Sequence, residues 1–183
     1  LQGPQSGFFR VLAQRVKRAG AEVHKVHFCG GDAALWGWER AYWYRGDLYQ
    51  WIGWVGDLYR KHHVTDLCVY GDWRPLHWEA VRLARMKGIR VWVYEEGYLR
   101  SAYSTLEEDG VNGRSRLPKR PQVIHAVAQN LQERPAAMIP NTMPGKVWRA
   151  VLHHVGNVVL WPFFCHYHTH RPMNIGHELM GIL

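Results

Sequence analysis

The chain has 183 residues, 47% of them hydrophobic, which suits a single domain with one core. The formal charge of +8 favours anionic partners, but the sequence has no Lys- and Arg-rich arm, zinc-finger spacing or RNA-binding aromatic motif, which argues against nucleic acid. Three widely separated cysteines argue against a disulfide framework or a CxxC metal site, and they fit a reducing compartment.

Helices and strands alternate in the first half of the chain. In chain order, the spacing of apolar residues predicts a helix over 7–19, a strand over 22–28, a glycine loop at 30–32, a helix over 48–62, and then a strand over 65–70, a helix over 76–87 and a strand over 89–94. This order is typical of βαβ units, so we predict an α/β fold with a Rossmann-like parallel sheet flanked by helices. The opening Leu1-Gln2-Gly3-Pro4 is typical of a loop after a strand, and we expect a fragment whose first strand is missing.

The second half of the chain is less regular. Residues 101–122 are polar and rich in turn formers, which indicates a long functional loop. A short helix over 126–133, a proline-rich boundary over 135–144 and an amphipathic helical region over 146–164 follow. We therefore predict a Rossmann-like domain over 1–134 and a connecting helical segment over 135–183. No run reaches the ~18 apolar residues that span a bilayer.

Glu95-Glu96 is the first candidate for chemistry, because two carboxylates stand where a buried strand ends. Ligands of parallel sheets bind at the carboxyl ends of strands, so three segments, 30–32, 71–74 and 95–98, should share one edge. Successive strand residues point to opposite faces, so one carboxylate can face a given cleft. Desolvation would raise its pKa toward that of a general base, and a nearby arginine would lower it. Glu96 is the better candidate base; a capping or salt-bridging pair is the alternative.

Other polar and glycine positions near the strand ends are candidates for binding. Arg74 presents a planar donor fork that suits a carboxylate or a phosphate, whereas Asp72 either binds a ligand or caps the following helix. Gly3 and Gly31 allow close backbone approach, although no GxGxxG or Walker motif is present. The alternating histidines of 166–170 could bind a metal, but they lack an acidic neighbour and favour a basic patch facing phosphate. We predict no bound metal.

Five segments, in this order, carry a family resemblance: LQGP, HKVHFCGGD, VYGDWRP, YEEGYLR and DGVNGRSRLP. Together they resemble the capsule polysaccharide biosynthesis and export proteins of the KpsS type, which are membrane-associated β-Kdo glycosyltransferases of Gram-negative bacteria. The resemblance covers about residues 1–172 and is most specific from YEEGYLR through SRLP. The chain departs from the family at His27 and Cys29, where an asparagine-rich pattern is usual, and at Ser101-Ala102, where a proline often stands.

The resemblance implies the N-terminal, acceptor-side half of a GT-B glycosyltransferase, with residues 135–183 leading to a mostly missing nucleotide-sugar domain. It implies an inverting transfer of Kdo from the donor substrate CMP-Kdo to a phosphatidylglycerol-type lipid acceptor, with no further cofactor and with Glu96 as the base. The fragment should not turn over alone. The candidate substrate-binding residues are Gly3, Gly31, Asp32, Asp72, Arg74, Glu95, Arg100 and Asn112.

A lipid-modifying enzyme must rest on an anionic leaflet, so the resemblance implies a cytoplasmic protein, peripheral at the inner face of the cytoplasmic membrane. The implied partners are a CMP-sugar donor, a phospholipid acceptor, the anionic membrane surface and other capsule assembly proteins. Two groups of Trp and Arg could supply the membrane contact, one being Trp36, Trp38, Arg40, Trp43 and Arg45 and the other Trp148, Arg149 and Trp161. For any single tryptophan, a position in the core under a long loop is the alternative. The alternatives are a non-catalytic capsule export or scaffold protein that binds the same glycolipid, and a flavodoxin-like nucleotide-binding module.

Overall fold

The computed structural model describes residues 1–37, 39–97, 104–131 and 143–167. These residues form an α/β fold in which parallel strands are flanked by helices, as predicted. The elements are α1 (Phe8–Arg18), β1 (Val26–His27), α2 (Gly30–Trp36), β2 (Tyr42–Trp43), α3 (Leu48–Lys61), β3 (Asp66–Tyr70), α4 (Pro75–Met86), β4 (Arg90–Glu96), β5 (Ser104–Glu108), α5 (Pro121–Ala128) and α6 (Met143–Val159), with 3₁₀ turns at Asn112–Arg114 and Trp161–Phe163.

The strands of the described residues form two small sheets. β3 and β4 are parallel and in register from Asp66 opposite Arg90 to Tyr70 opposite Tyr94, and β5 adds to β4 in the antiparallel sense. β1 pairs with β2 instead of with β3. The single run of parallel strands expected from the alternating pattern is therefore divided, because the chain inserts β2 beside β1.

Two segments predicted to be loops contain a helix and a β-strand instead. The expectation that Gly30-Gly31-Asp32 form a loop is wrong, because α2 begins at Gly30 and Asp32 lies in its first turn. The Asp32 carboxylate accepts a hydrogen bond from the Phe28 amide at 3.3 Å, and a carboxylate is favourable at a helix N-terminus. The expectation of one long loop over 101–122 is wrong in part, because residues 104–108 pair with the free edge of β4.

The alternation of side chains along β3 and β4 determines which face of the sheet each residue covers. Tyr94 contacts the rings of Phe8 and Phe9 in α1, with centroids 5.3 and 5.7 Å apart, and so faces α1. The opposite face packs into the main core with the inner sides of α3 and α4. Its buried strand residues are Leu67, Val69, Val91 and Val93.

Helix α6 packs directly on α2 through two glycines. A Cβ atom added to Gly30 would stand 1.9 Å from the Gly156 carbonyl oxygen, so only glycine permits this approach. After α6 the chain returns to β2, where the buried Phe164 stacks on Trp43 with centroids 5.1 Å apart. The described part of segment 135–183 thus packs on the N-terminal elements, and the division near residue 135 stays a prediction.

Candidate functional site

The carboxyl ends of β3 and β4 meet, as the sequence predicts. Gly71 leaves β3 with a positive φ of 66°, and its amide donates to the Tyr94 carbonyl at 2.8 Å. A Cβ atom at Gly71 would lie 3.4 Å from a carboxylate oxygen of Glu95, so the Glu95 side chain lies over the turn. The motifs that follow the two strands therefore share one edge of the sheet.

Gln2 connects this edge to Cys29, which directly precedes the predicted segment 30–32. Its side-chain amide donates to the Cys29 sulfur at 3.5 Å, and its carbonyl oxygen accepts from Arg74 at 2.8 Å and from the Tyr167 hydroxyl at 3.1 Å. Gln2 is 5% exposed. The sequence alone does not reveal this role, because a single glutamine in LQGP carries no signal of its three distant partners.

Glu95 and Glu96 differ in their surroundings. Glu95 is half-buried, and its carboxylate accepts a hydrogen bond from the Glu96 amide at 3.0 Å. Glu96 is exposed at the end of β4, opposite Ser104 of β5. The alternation along the strand thus separates the two carboxylates, and Glu96 is the one that solvent or a substrate can reach.

Asp72 is fully buried and is held by an arginine that follows β5. Its carboxylate lies 3.3 Å from the Arg114 guanidinium, and that guanidinium lies 4.0 Å from the rings of both Trp73 and Trp78. Asp72 does not cap α4, because the N-cap position belongs to Arg74. The ion pair and the two aromatic faces hold the turn at Asn112–Arg114 against the β3 to α4 connection.

A cavity of about 310 Å³ opens beside this edge, at the N-terminal ends of α3 and α4. Its lining includes Arg74, which is the N-cap of α4, and Arg45, which lies just before α3. Aromatic side chains form much of the remaining wall, namely Phe28, Tyr44, Tyr49, Phe164 and Tyr167. The N-terminus of α4 has no side-chain cap, so it and the two arginines favour an anionic group, whereas the N-terminus of α3 is capped by the Asp47 carboxylate, which also lines the cavity. The aromatic wall favours an apolar or sugar-like portion attached to that group.

His77 also lines the cavity and has one ring nitrogen without a partner. It is completely buried, and its Nδ1 lies 2.8 Å from the Gly71 carbonyl oxygen, to which it donates. Burial, and next the nearby Arg74, hold the pKa of His77 well below its usual range, so the ring is neutral. Nε2 is also buried and has no hydrogen-bond partner among the described residues. The sequence gives no signal for His77, because its position in α4 matches an ordinary helical pattern.

The other predicted binding residues do not gather at the cavity. Gly3 permits close packing, since a Cβ atom there would stand 2.9 Å from the Phe9 ring. The Gly31 amide donates to Asn157 of α6, and Asp32 is buried 3.9 Å from the Lys25 ammonium. Asn112 is exposed in a left-handed conformation. Arg100 lies outside the described residues.

The two predicted membrane-contact groups differ in how much of their tryptophan surface is exposed. The first group is wrong at Trp36, which is 3% exposed, while Trp38 lies outside the described residues. In the second group Trp148 and Trp161 are 65% and 61% exposed on and just after α6. No helix of the described residues is both long enough and apolar enough to cross a membrane.

The sequence is similar to proteins of capsule polysaccharide biosynthesis, export and modification. The family model described as capsule polysaccharide biosynthesis protein matches residues 65–183. The chain is 36% identical over 149 residues to the capsule polysaccharide export protein KpsS of Escherichia coli, covering 81% of this chain and 37% of that protein. It is 31% identical over 188 aligned positions to the capsule polysaccharide modification protein LipB of Neisseria meningitidis serogroup A, covering 98% of this chain and 44% of LipB. The chain therefore spans less than half the length of these relatives. No solved structure gives a significant match.

Proposed function

The chain belongs to the capsule polysaccharide biosynthesis protein family, and from this premise we propose that it is the acceptor-side part of an inverting glycosyltransferase. The proposed reaction moves Kdo from CMP-Kdo to a phosphatidylglycerol-type lipid. Glu96 accepts the proton of the acceptor hydroxyl as the oxygen attacks the anomeric carbon, and CMP leaves from the opposite face. The GT-B architecture, the donor side and the catalytic role of Glu96 are all parts of this proposal.

The observation that carries the proposal is the exposed carboxylate of Glu96 at the carboxyl end of β4, the edge at which β3 also ends. A separate cavity among the residues that follow β3 has Arg45 and Arg74 in its lining. A lipid phosphate bound by the two arginines would place an anion at the N-terminus of α4, which has no side-chain cap.

The test uses the full-length protein and follows Kdo transfer from CMP-Kdo to the lipid acceptor. We expect Glu96→Gln to lower kcat by about 10²- to 10⁴-fold, because the amide cannot take a proton. Glu108→Gln is the matched control, since Glu108 is an exposed glutamate on the neighbouring β5. Normal turnover by Glu96→Gln would remove Glu96 as the base.

A non-catalytic glycolipid-binding role in capsule export is the second candidate. Two observations favour it: Glu96 does not line the cavity, and the E. coli relative is named an export protein. This role predicts that the full-length protein binds the glycolipid but transfers no Kdo. It also predicts that Glu96→Gln binds as tightly as the unchanged protein, whereas loss of Arg74 weakens binding.

The peripheral membrane contact is proposed for α6 and the turn after it. Trp148, Val151, Val155 and Trp161 are exposed there, and the sequence from 143 to 171 contains no Asp or Glu. Such a face suits an anionic headgroup layer. We expect Trp148→Ser with Trp161→Ser to weaken binding to phosphatidylglycerol vesicles at least tenfold, with Trp92→Phe as the aromatic control. Unchanged vesicle binding would assign this face to another partner.

A further inference from the structure

Three possible metal ligands lie at the opposite edge of the sheets from the cavity. Glu22 and His24 precede β1, and His62 follows α3 and precedes β3, so they stand at the amino ends of strands. Glu22 and His24 alternate along the chain, which places them on one side of an extended segment. One ligand atom from each of the three residues lies within 4.8 Å of the other two. We call this the Glu22–His24–His62 cluster.

The spacing within the cluster is close to that of a bound transition metal. Nε2 of His24 is 3.2 Å from a carboxylate oxygen of Glu22, and the rings of His24 and His62 have centroids 4.0 Å apart. Ligand atoms at about 2.0–2.2 Å from one tetrahedral Zn²⁺ are roughly 3.3 Å from one another. The Glu22 side chain is 80% exposed and free to turn, so small side-chain rotations would close the cluster on an ion.

The surroundings of His62 also suit a cation. His62 is the C-cap of α3, and the C-terminal end of a helix attracts positive charge. The Tyr42 hydroxyl lies 2.7 Å from Nε2 of His62, and a polar partner of this kind orients a metal-binding imidazole.

We propose that Glu22, His24 and His62 bind one Zn²⁺ ion, with the fourth position open to water. Two imidazoles and one carboxylate form a nitrogen and oxygen donor set that Zn²⁺ accepts readily. The ion would join the end of α3 to the segment that enters β1. Because the cluster lies away from Glu96 and the cavity, this proposal does not depend on the proposed function.

The test measures Zn²⁺ binding to the full-length protein without an affinity tag, by competition with a chromogenic chelator. His166, His168 and His170 are replaced together by alanine in the starting protein, which removes the other histidine cluster of the sequence. We expect one equivalent of Zn²⁺ to bind and to raise the melting temperature. Glu22→Gln and His24→Ala should each raise the Kd at least ~10-fold.

His125→Ala is the matched control, since His125 is an exposed histidine on α5 and should bind Zn²⁺ like the starting protein. Glu22→Gln changes an exposed side chain, so a folding defect would not explain its effect. Either of two results would overturn the proposal: the absence of a one-equivalent site in the starting protein, or an unchanged Kd in Glu22→Gln and His24→Ala.

Discussion

The carboxylate of the buried Asp72 lies 3.3 Å from the guanidinium of Arg114, a residue 42 positions further along the chain. Removal of Arg114 would leave a buried charge without its partner, a change that costs about 3–5 kcal/mol in proteins. We therefore expect Arg114→Ala to lower the free energy of unfolding by roughly 3 kcal/mol or more, measured by urea denaturation.

Arg114→Lys tests the separate contribution of the two tryptophans. Lysine keeps the charge beside Asp72 but lacks the planar group that stacks between Trp73 and Trp78, so the loss should be intermediate. Arg116→Ala is the control, because Arg116 is exposed and its ion pair with Asp109 should contribute at most about 1 kcal/mol. Equal effects of the Arg114 and Arg116 changes to alanine would contradict this account of Asp72.

Two glycine substitutions should have opposite effects on stability, one at the contact between α2 and α6 and one on the exposed side of α3. Gly30→Ala would force the helices apart, since the new Cβ atom would meet the Gly156 carbonyl oxygen at 1.9 Å, and we expect a loss of about 1–3 kcal/mol. Gly53→Ala lies on an exposed turn of α3 with no atom within 4 Å of the new Cβ, and we expect a gain of about 0.5–1 kcal/mol. Thermal melts of both variants measure the difference, and a stabilised Gly30→Ala protein would refute the close packing.

Arg74 provides a test of the proposed acceptor site. Loss of one charge-assisted hydrogen bond to a phosphate costs about 1.5–3 kcal/mol, so Arg74→Gln should raise the KM for the lipid acceptor about 10- to 150-fold. Arg74→Lys should lose less. Arg90→Gln is the control, because Arg90 pairs with Asp66 at the amino end of β4, away from the cavity. A KM that Arg74→Gln leaves unchanged would place the acceptor elsewhere.

Two buried histidines predict a loss of stability in mild acid. Burial lowers the pKa of His27 to about 3 and that of His77 well below its usual range, with Lys25 and Arg74 adding to the effect. Below about pH 6.5 the unfolded chain binds protons that the folded chain excludes, so the unfolding free energy falls by about 1.4 kcal/mol per pH unit for each histidine.

Urea denaturation between pH 5 and pH 8 measures this slope. His77→Gln should reduce the slope by about 1.4 kcal/mol per pH unit, the contribution of one histidine. His125→Ala changes an exposed side chain and should leave the slope unchanged. A free energy of unfolding that stays constant from pH 8 to pH 5 would show that His27 and His77 become protonated in the folded protein.

Local patterns in the sequence predicted much of the fold. The helices α1, α3 and α4 and the strands β3 and β4 lie where apolar spacing places them, because each buries a continuous face that the periodicity of 3.6 or 2 residues reveals. The meeting of the Gly71 turn with Glu95 also follows from the parallel order of β3 and β4.

The tertiary structure decided what each polar side chain contacts. The sequence predicts a loop at Gly30, yet this residue begins α2 and lies against Gly156 of α6. Gln2 and His77 became parts of the cavity, and Asp72 became the partner of Arg114, through contacts between residues far apart in the chain. Periodicity reports only whether a residue faces the core. The partners of a buried polar group depend on how the elements pack, and that arrangement is a property of the whole fold.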